Sequence, residues 1–311
     1  MAMPSTRQAP LCPVCGGSDF VPQFGGAGAD AGKRSTTPYR ITQSSRRLVG
    51  AVERCRDCGL GMLPPHLVEG HYADGADERF AEQAEVRCRN AERLLQLLPP
   101  PSPGARLLDV GSAYGFLLLA ARRLGYDAVG VEPSQDAADY AHRTYGVEVF
   151  NGPIQDVPYE AESFDVITLA DVIEHFSDPA LVLDRLHRLL RPNGHLVLLT
   201  PDFGSVAARV MGRHWWALLD DHYFYFSRQT LPRFLRQHGF SSERLQSFGR
   251  AFPIHHWVFK LSQYSEGTYR ACDRVVRALG LAEVEVPLNF GDQMACVASR
   301  VSRATQSGAT S

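Results

Sequence analysis

Between residues 105 and 200 short apolar runs alternate with helical stretches, although no internal sequence repeat is present. The runs "ARLLDV", "YDAVGVE", "VEVFNG", "FDVITLA" and "GHLVLLT" are separated by helical segments near 115–124, 134–145 and 178–190. Strands alternating with helices give a parallel sheet covered on both faces, with right-handed crossovers. A chain of 311 residues that is 44% apolar can bury one such core and a small satellite domain. No run of 18 apolar residues is present, and the opening "MAMPSTRQAP" lacks the apolar core of a secretory signal, so a cytoplasmic location with no membrane partner is expected. The net charge of −2 announces no nucleic-acid or anionic-membrane partner.

Four of the seven cysteines are organised. Cys12 and Cys15 form one C-x-x-C, Cys55 and Cys58 another, and a glycine follows each pair. Two such turns supply the four thiolates of a closed tetrahedral zinc site, which has no open position and is therefore structural. A redox dithiol is the weaker reading, because the pairs are matched. The 39 residues between the pairs contain "GGAGADAGKRSTTP", read as a flexible insertion; "AGADAGKRS" within it fails as a phosphate-binding loop, with Ala27 at the first glycine position and Arg34 after Lys33. Cys88, Cys272 and Cys296 are expected to be buried.

The pattern around this core is less regular. "ERFAEQAEVRCRNAERLLQLL" (78–98) has helical periodicity and stops at "PPPSPG". After "TPDFGS" comes the aromatic "VAARVMGRHWWALLDDHYFYFS", then a helix over 228–240 closed by Gly239. "SSERLQSFGR" reads as a further strand, 253–280 as helical cap, and "EVPLNFGDQMACVASRV" as the end of the sheet. Boundaries follow: a zinc-ribbon segment at 9–65, a linker helix within 66–103, a main domain at 104–300 with a lid at about 203–226 and 253–280, and a disordered tail at 301–311.

The turn after the first strand of the main domain is the most informative stretch. Counting from Gly111, the third position is Ala113 and the sixth Phe116, so the dinucleotide pattern G-x-G-x-x-G fails. What fits is acid-x-Gly-x-small-x-Gly: Asp109, Gly111, Ala113, Gly115. Such a loop suits a phosphate-free, cationic ligand, which needs carboxylates and backbone exposed by glycine.

In order along the chain, the ribbon, "LLDVGSAYG", "GVEPS", "FDVITLADVIEHFSDP", "LLRPNGHLVLLTPD" and "HYFYFSRQTL" resemble a class I S-adenosylmethionine-dependent methyltransferase with an N-terminal zinc ribbon, a type met among small-molecule and sugar-pathway enzymes. The likeness covers 104–200 and, more loosely, 78–300. It implies an α/β fold: a Rossmann-like seven-stranded sheet with a small zinc-ribbon domain and a helical, aromatic lid. It also implies that Asp109 orients the methionine amino group, and that Gly111 and Gly115, flanked by Ser112 and Ala113, let the backbone pass beside S-adenosylmethionine. Glu132, 23 positions after Asp109 and followed by Pro133, would take both ribose hydroxyls. Asp156 would meet the adenine amino group, and Ala170 would border the site. Ala113 departs from the family's usual glycine.

Methyl transfer needs alignment in a water-excluding pocket, with a base where the acceptor must lose a proton. "ADVIEHFSDP" presents Asp171, Glu174 and His175 after a strand. "RHWWALLDDHYFYFS" offers Trp215, Trp216, Tyr223, Phe224 and Tyr225 around His214 and His222. His175 and then His222 are the candidate bases, with Asp171 beside them. Spacing resembling E-x-x-E-H adds a possible magnesium or manganese site at Asp171, Glu174 and His175.

A small-molecule acceptor is thus expected, methylated on oxygen, nitrogen or carbon. An RNA methyltransferase is the alternative, since Lys33, Arg34, Arg40, Arg46, Arg47, Arg54 and Arg56 face only Glu53 between residues 33 and 56. A non-catalytic zinc-ribbon scaffold is the second alternative.

Overall fold

The computed structural model describes residues 11–24, 52–63, 83–219 and 221–301. The insertion at 25–51 with its basic residues and loop-like "AGADAGKRS", the first part of the linker, and the tail from 302 lie outside the described residues.

Seven strands form the main sheet in the order β10-β13-β8-β7-β4-β5-β6. They are β4 (Arg106–Val110), β5 (Asp127–Glu132), β6 (Glu148–Asn151), β7 (Phe164–Ala170), β8 (Leu190–Pro201), β10 (Phe240–Ser247) and β13 (Gln293–Arg300). Five neighbours, β4 to β8, run parallel; β13 is antiparallel to both β8 and β10, so the sheet is mixed at one edge. Helices follow the strands: α1 (Ala84–Leu95), α2 (Phe116–Arg123), α3 (Gln135–Tyr145), α4 (Pro179–Leu189), α5 (Val206–Met211), α6 (Thr230–Gln237), α7 (Ile254–Phe259) and α8 (Glu266–Ala278).

The period-2 alternation of the strands divides the core in two. Leu107, Val166 and Val197 pack with Leu94, Leu117 and Ala141 of α1–α3. Their neighbours Leu108, Ile167 and Leu198 pack on the other face with Leu183 and Leu186 of α4 and Phe234 of α6. The central strands β4 and β7 are mostly apolar because both faces of the sheet are covered.

The chain runs outward from β4 through β5 to β6, then returns to place β7 on the other side of β4. That reversal opens a crevice at the carboxyl ends of β4 and β7, the place where open α/β sheets take ligands.

The ribbon does not stand apart. Its strands β1 (Phe20–Phe24), β2 (Val52–Cys55) and β3 (Gly61–Met62) join β9 (Phe224–Tyr225) in one antiparallel sheet. Cys12, Val14, Leu60 and Met62 share the buried cluster of Leu231 and Phe234, and Gln237 Nε2 donates to the Val14 carbonyl at 2.8 Å. A Cβ on Gly61 would sit 2.8 Å from the Phe203 ring and 2.9 Å from Tyr225 Cβ, so only glycine lets β3 pass here.

Two sequence expectations need correction. "EVPLNFGDQMACVASRV" finishes the sheet only in part: β12 (Glu285–Leu288) pairs with β11 (Arg250–Pro253) in a separate two-stranded sheet, Gly291 turns at φ +72°, and only β13 joins the main sheet. Cys88 and Cys296 are buried, but Cys272 is only partly so, being on the outer helix α8. No described helix is long and apolar enough to cross a membrane.

Candidate functional site

One cavity of about 930 Å³ sits in the crevice at the β4/β7 reversal. The strand ends contribute Gly111, Glu132, Pro133, Ala170 and Asp171, and the loop after β7 adds Glu174 and His175. Ala113 also borders the cavity.

Glu132 is 1% exposed. Its Oε2 accepts the Ala113 N–H and its Oε1 the Ser134 N–H, both at 2.9 Å. The carboxylate therefore pins the glycine loop to the end of β5, with one acceptor site left on each oxygen. Burial pushes its pKa up and the two backbone N–H groups oppose that. Gly111 turns at φ +73°, and a Cβ there would lie 2.7 Å from Val172 Cγ2. Ala113 takes φ +45°, a left-handed conformation that costs an alanine roughly 1–2 kcal/mol, which explains why glycine would suit the position.

Four of the expected cofactor-binding residues do not line the cavity. Asp109 is 3% exposed, accepts from Thr168 Oγ1 at 2.6 Å and lies behind the cavity wall rather than on it. Gly115 caps α2 at φ +79°, and a Cβ would meet Val147 and Ala141 at 3.0 and 3.1 Å, so its smallness serves helix packing. Ser112 is buried, its Oγ tucked against the backbone of Gly130. Asp156 is exposed at the end of a short 3-10 turn; Gln155 and Ile154 of the same turn reach the cavity instead.

Burial pushes the Asp109 carboxyl up to about 7, against its bond from Thr168, and pushes Glu174 likewise to about 7. A raised carboxyl stabilises the fold fully below its unfolded value and loses that contribution as pH rises through 7. The Tm of the ligand-free protein is thus expected to fall between about pH 4 and 7 and to level off above. In Asp109→Asn about half of that fall should vanish in thermal scans; an unchanged slope would rule Asp109 out as its source.

Glu174, His175 and His222 gather at one end of the cavity, each offering a ligand atom within 4.8 Å of the others. The two imidazoles meet edge to face at 4.6 Å between centroids. Thr200 Oγ1 donates to Glu174 Oε2 at 3.0 Å, whereas Glu174 Oε1 is buried without a hydrogen-bond partner. His175 Nδ1 faces the Asp221 carbonyl at 3.0 Å and the Asp221 carboxylate at 3.1 Å. Both are acceptors, so Nδ1 carries the hydrogen and Nε2 keeps the lone pair. Asp171 does not join this cluster. It turns at φ +58° and pairs with Arg250, so the expected trio of Asp171, Glu174 and His175 is replaced by Glu174, His175 and His222.

Of the aromatic run, Trp216 and Tyr223 line the cavity. Trp215, Phe224 and Tyr225 are buried in the core, Trp215 donating from Nε1 to Asp292 at 3.1 Å, and His214 is exposed. The rest of the wall, missed in the sequence, comes from α1 and the cap: Arg87, Phe248, Arg250, Phe252, Trp257 and Lys260.

The four ribbon cysteines converge, with Cys12–Cys58 and Cys15–Cys55 sulfur separations of 3.5 and 3.4 Å and all four within 4.8 Å. A tetrahedral zinc with bonds of about 2.3 Å sets sulfurs about 3.8 Å apart, so the cluster is compatible with that ion. The Gly17 N–H points at Cys15 Sγ at 3.4 Å.

The model of a methyltransferase domain matches residues 80–245, more than half of the chain. Ubiquinone biosynthesis O-methyltransferases are among its relatives. That of Cereibacter sphaeroides is 32% identical over 124 residues, 38% of this chain and 50% of the relative. That of Azorhizobium caulinodans is 34% identical over 107 residues, 32% and 42% of the two chains. The chain thus spans about half the length of these curated relatives. A structure of the complex between a Haloferax volcanii methyltransferase activator and a methyltransferase shares the fold, with a TM-score of 0.52 at 16% identity over 73% of this chain and 95% of that one. Sheet, loop and family match agree: the chain belongs to the methyltransferase-domain family, as a class I S-adenosylmethionine-dependent methyltransferase.

Proposed function

We propose that the chain methylates a small-molecule acceptor inside the crevice, with the acceptor enclosed between the strand ends and the cap. The observation carrying this reading is the buried Glu132 carboxylate, clamped to the glycine loop and opening on the same cavity as an oriented histidine. Bound there, S-adenosylmethionine would supply an electrophilic methyl carbon on a cationic sulfur. Glu132 would hold the ribose hydroxyls, and Gly111, Ala113, Pro133 and Ala170 would form the surrounding wall. Asp109 acts from behind, fixing the loop or reaching the amino group through water.

On the acceptor side, His175 is the base. Asp221 fixes its tautomer, leaving Nε2 to take a proton from a hydroxyl, amine or acidic carbon, and Asp221 then stabilises the imidazolium. Glu174 and His222 shape the same corner, while Trp216, Tyr223 and Phe252 keep water out. His175→Ala is expected to lower kcat about 100- to 10,000-fold while S-adenosylhomocysteine affinity stays within about twofold. Equal losses in both would assign His175 a structural part only.

A second reading has its own observation. Two imidazoles and a buried carboxylate with a spare oxygen form a ligand set for a divalent cation, Asp221 bracing one ligand from outside. Activity abolished by chelation and restored by magnesium or manganese, with the ribbon zinc intact, would favour it.

The ribbon is read as a structural module whose zinc is held by Cys12, Cys15, Cys55 and Cys58. An RNA acceptor predicts binding that falls steeply with salt, and a concave, aromatic-walled cavity argues for the smaller substrate.

A further inference from the structure

The cavity is chemically two-sided. The strand ends bring carboxylates, Glu132 and Glu174, which suit a cationic donor. The opposite wall is built from α1, β11 and the cap, and it brings Arg87, Arg250 and Lys260. This wall is also aromatic: the guanidinium of Arg87 lies 5.4 Å from the Phe252 ring centroid, and His256 stacks on Phe252 at 4.0 Å and 17°.

The acids on that side are already engaged. Asp171 is paired with Arg250, and Asp292 accepts the Trp215 indole N–H. The side-chain ammonium of Lys260, on the 3-10 turn after α7, makes no hydrogen bond or ion pair with any described residue. A partly buried ammonium without a protein partner is costly unless something else brings the charge. We propose that the cap side of the cavity is an anion subsite, in which Lys260, flanked by Arg250 and Arg87, receives the carboxylate, phosphate or sulfate-like group of a planar aromatic acceptor. This rests on the methyltransferase reading and names the class of acceptor that the pocket takes.

Two neighbouring groups report the same field. Burial, then Arg250, holds the Lys260 ammonium below its usual range, with Asp292 and Asp171 offsetting only part. Burial, then Lys260 and Arg87, depresses His256 to about 2, so it stays neutral and serves as a stacking surface rather than a fourth cation. An incoming anion offsets the mutual repulsion of the three cations and opposes the downward push on the Lys260 pKa. The flat walls of Phe252, Trp257 and Phe290 then set the acceptor's plane.

The donor's own carboxylate has the same chemistry, so the test separates the two sources. Two fluorescent probes with the same rings are titrated into the protein, with and without S-adenosylhomocysteine: 1-anilinonaphthalene-8-sulfonate and the neutral N-phenyl-1-naphthylamine. The sulfonate is expected to bind at least about tenfold tighter with S-adenosylhomocysteine in place. Lys260→Met should erase that preference while the neutral probe and S-adenosylhomocysteine keep their affinities within about twofold, and Lys260→Arg should restore it. The proposal is overturned if the sulfonate has no advantage, if the advantage survives Lys260→Met, or if Lys260→Arg fails to restore it. It is also overturned if Lys260→Met weakens S-adenosylhomocysteine instead, which would assign the lysine to the donor. Should the wild-type protein bind no S-adenosylhomocysteine, the functional reading falls, while the probe comparison without it still reads the subsite.

Discussion

Glu132→Ala is expected to weaken S-adenosylhomocysteine binding by about 100-fold, whereas Asp178→Ala should leave it within about twofold. Two hydrogen bonds from the ribose to a carboxylate, each worth about 1.5–3 kcal/mol, account for at least that factor. The same substitution strands the Ala113 and Ser134 N–H groups, so the loop loses its tether to β5 as well. Glu132→Gln turns an amide N–H toward one of those donors and should fall between wild type and Ala. Asp178 is the control because it is an acid with a job elsewhere. Its Oδ1 accepts the Leu181 N–H and caps α4, so its loss costs about 1 kcal/mol of stability and nothing at the cavity. Calorimetric titration reads both. Comparable losses in the two variants would remove Glu132 from the ribose.

Loss of the ribbon metal should be felt in the cavity. Strand β3 continues into a backbone chain: the Leu63 N–H donates to the Tyr223 carbonyl at 2.9 Å, and the Tyr223 N–H donates to the Glu174 carbonyl at 2.8 Å. Both Tyr223 and Glu174 line the cavity, and β9 follows directly on Tyr223. Structural zinc supplies about 10–16 kcal/mol to isolated zinc-finger peptides. Here the ribbon also leans on α6, so a smaller share, roughly 5 kcal/mol, is expected to disappear, lowering Tm by about 10 °C or more. Elemental analysis should find about one zinc per chain, absent in Cys12→Ser. That variant should show the Tm loss together with reduced methyl transfer, at S-adenosylhomocysteine affinity close to wild type. A metal-free wild-type protein would refute the ligand set, and an unchanged Tm in Cys12→Ser would refute the coupling.

What the sequence disclosed was mostly local. The glycine loop, Glu132 and the cysteine pairs are each defined within a few residues, because a strand end, a turn and a metal knuckle are short-range objects. The two faces of the sheet were equally legible, since the parallel strands carry apolar side chains at most of the positions their neighbours cover. The acceptor wall was not. Arg87, Arg250, Lys260 and Phe290 come from four separated stretches, and no periodicity links them before the cap folds over the crevice.

The errors have physical causes. Trp215, Phe224 and Tyr225 belong to an aromatic run that suggested a lid, but pairing of β9 with β3 holds Phe224 and Tyr225 in the core and Trp215 is anchored inside by Asp292, leaving Trp216 and Tyr223 of these rings on the cavity. Asp171 sits one turn from Glu174 and was grouped with it; a left-handed backbone at Asp171 and the presence of Arg250 separate them, and His222 takes the vacant corner through a contact 47 residues along the chain. Asp156 and Gln155 differ by one step around a 3-10 turn, a phase that sequence spacing does not resolve.

A crystal structure with S-adenosylhomocysteine bound would put the whole scheme to trial. The scheme places the ribose against the Glu132 carboxylate and the sulfur on the cavity side facing His175. Density on another face of the protein, or a ribose held without Glu132, would contradict it.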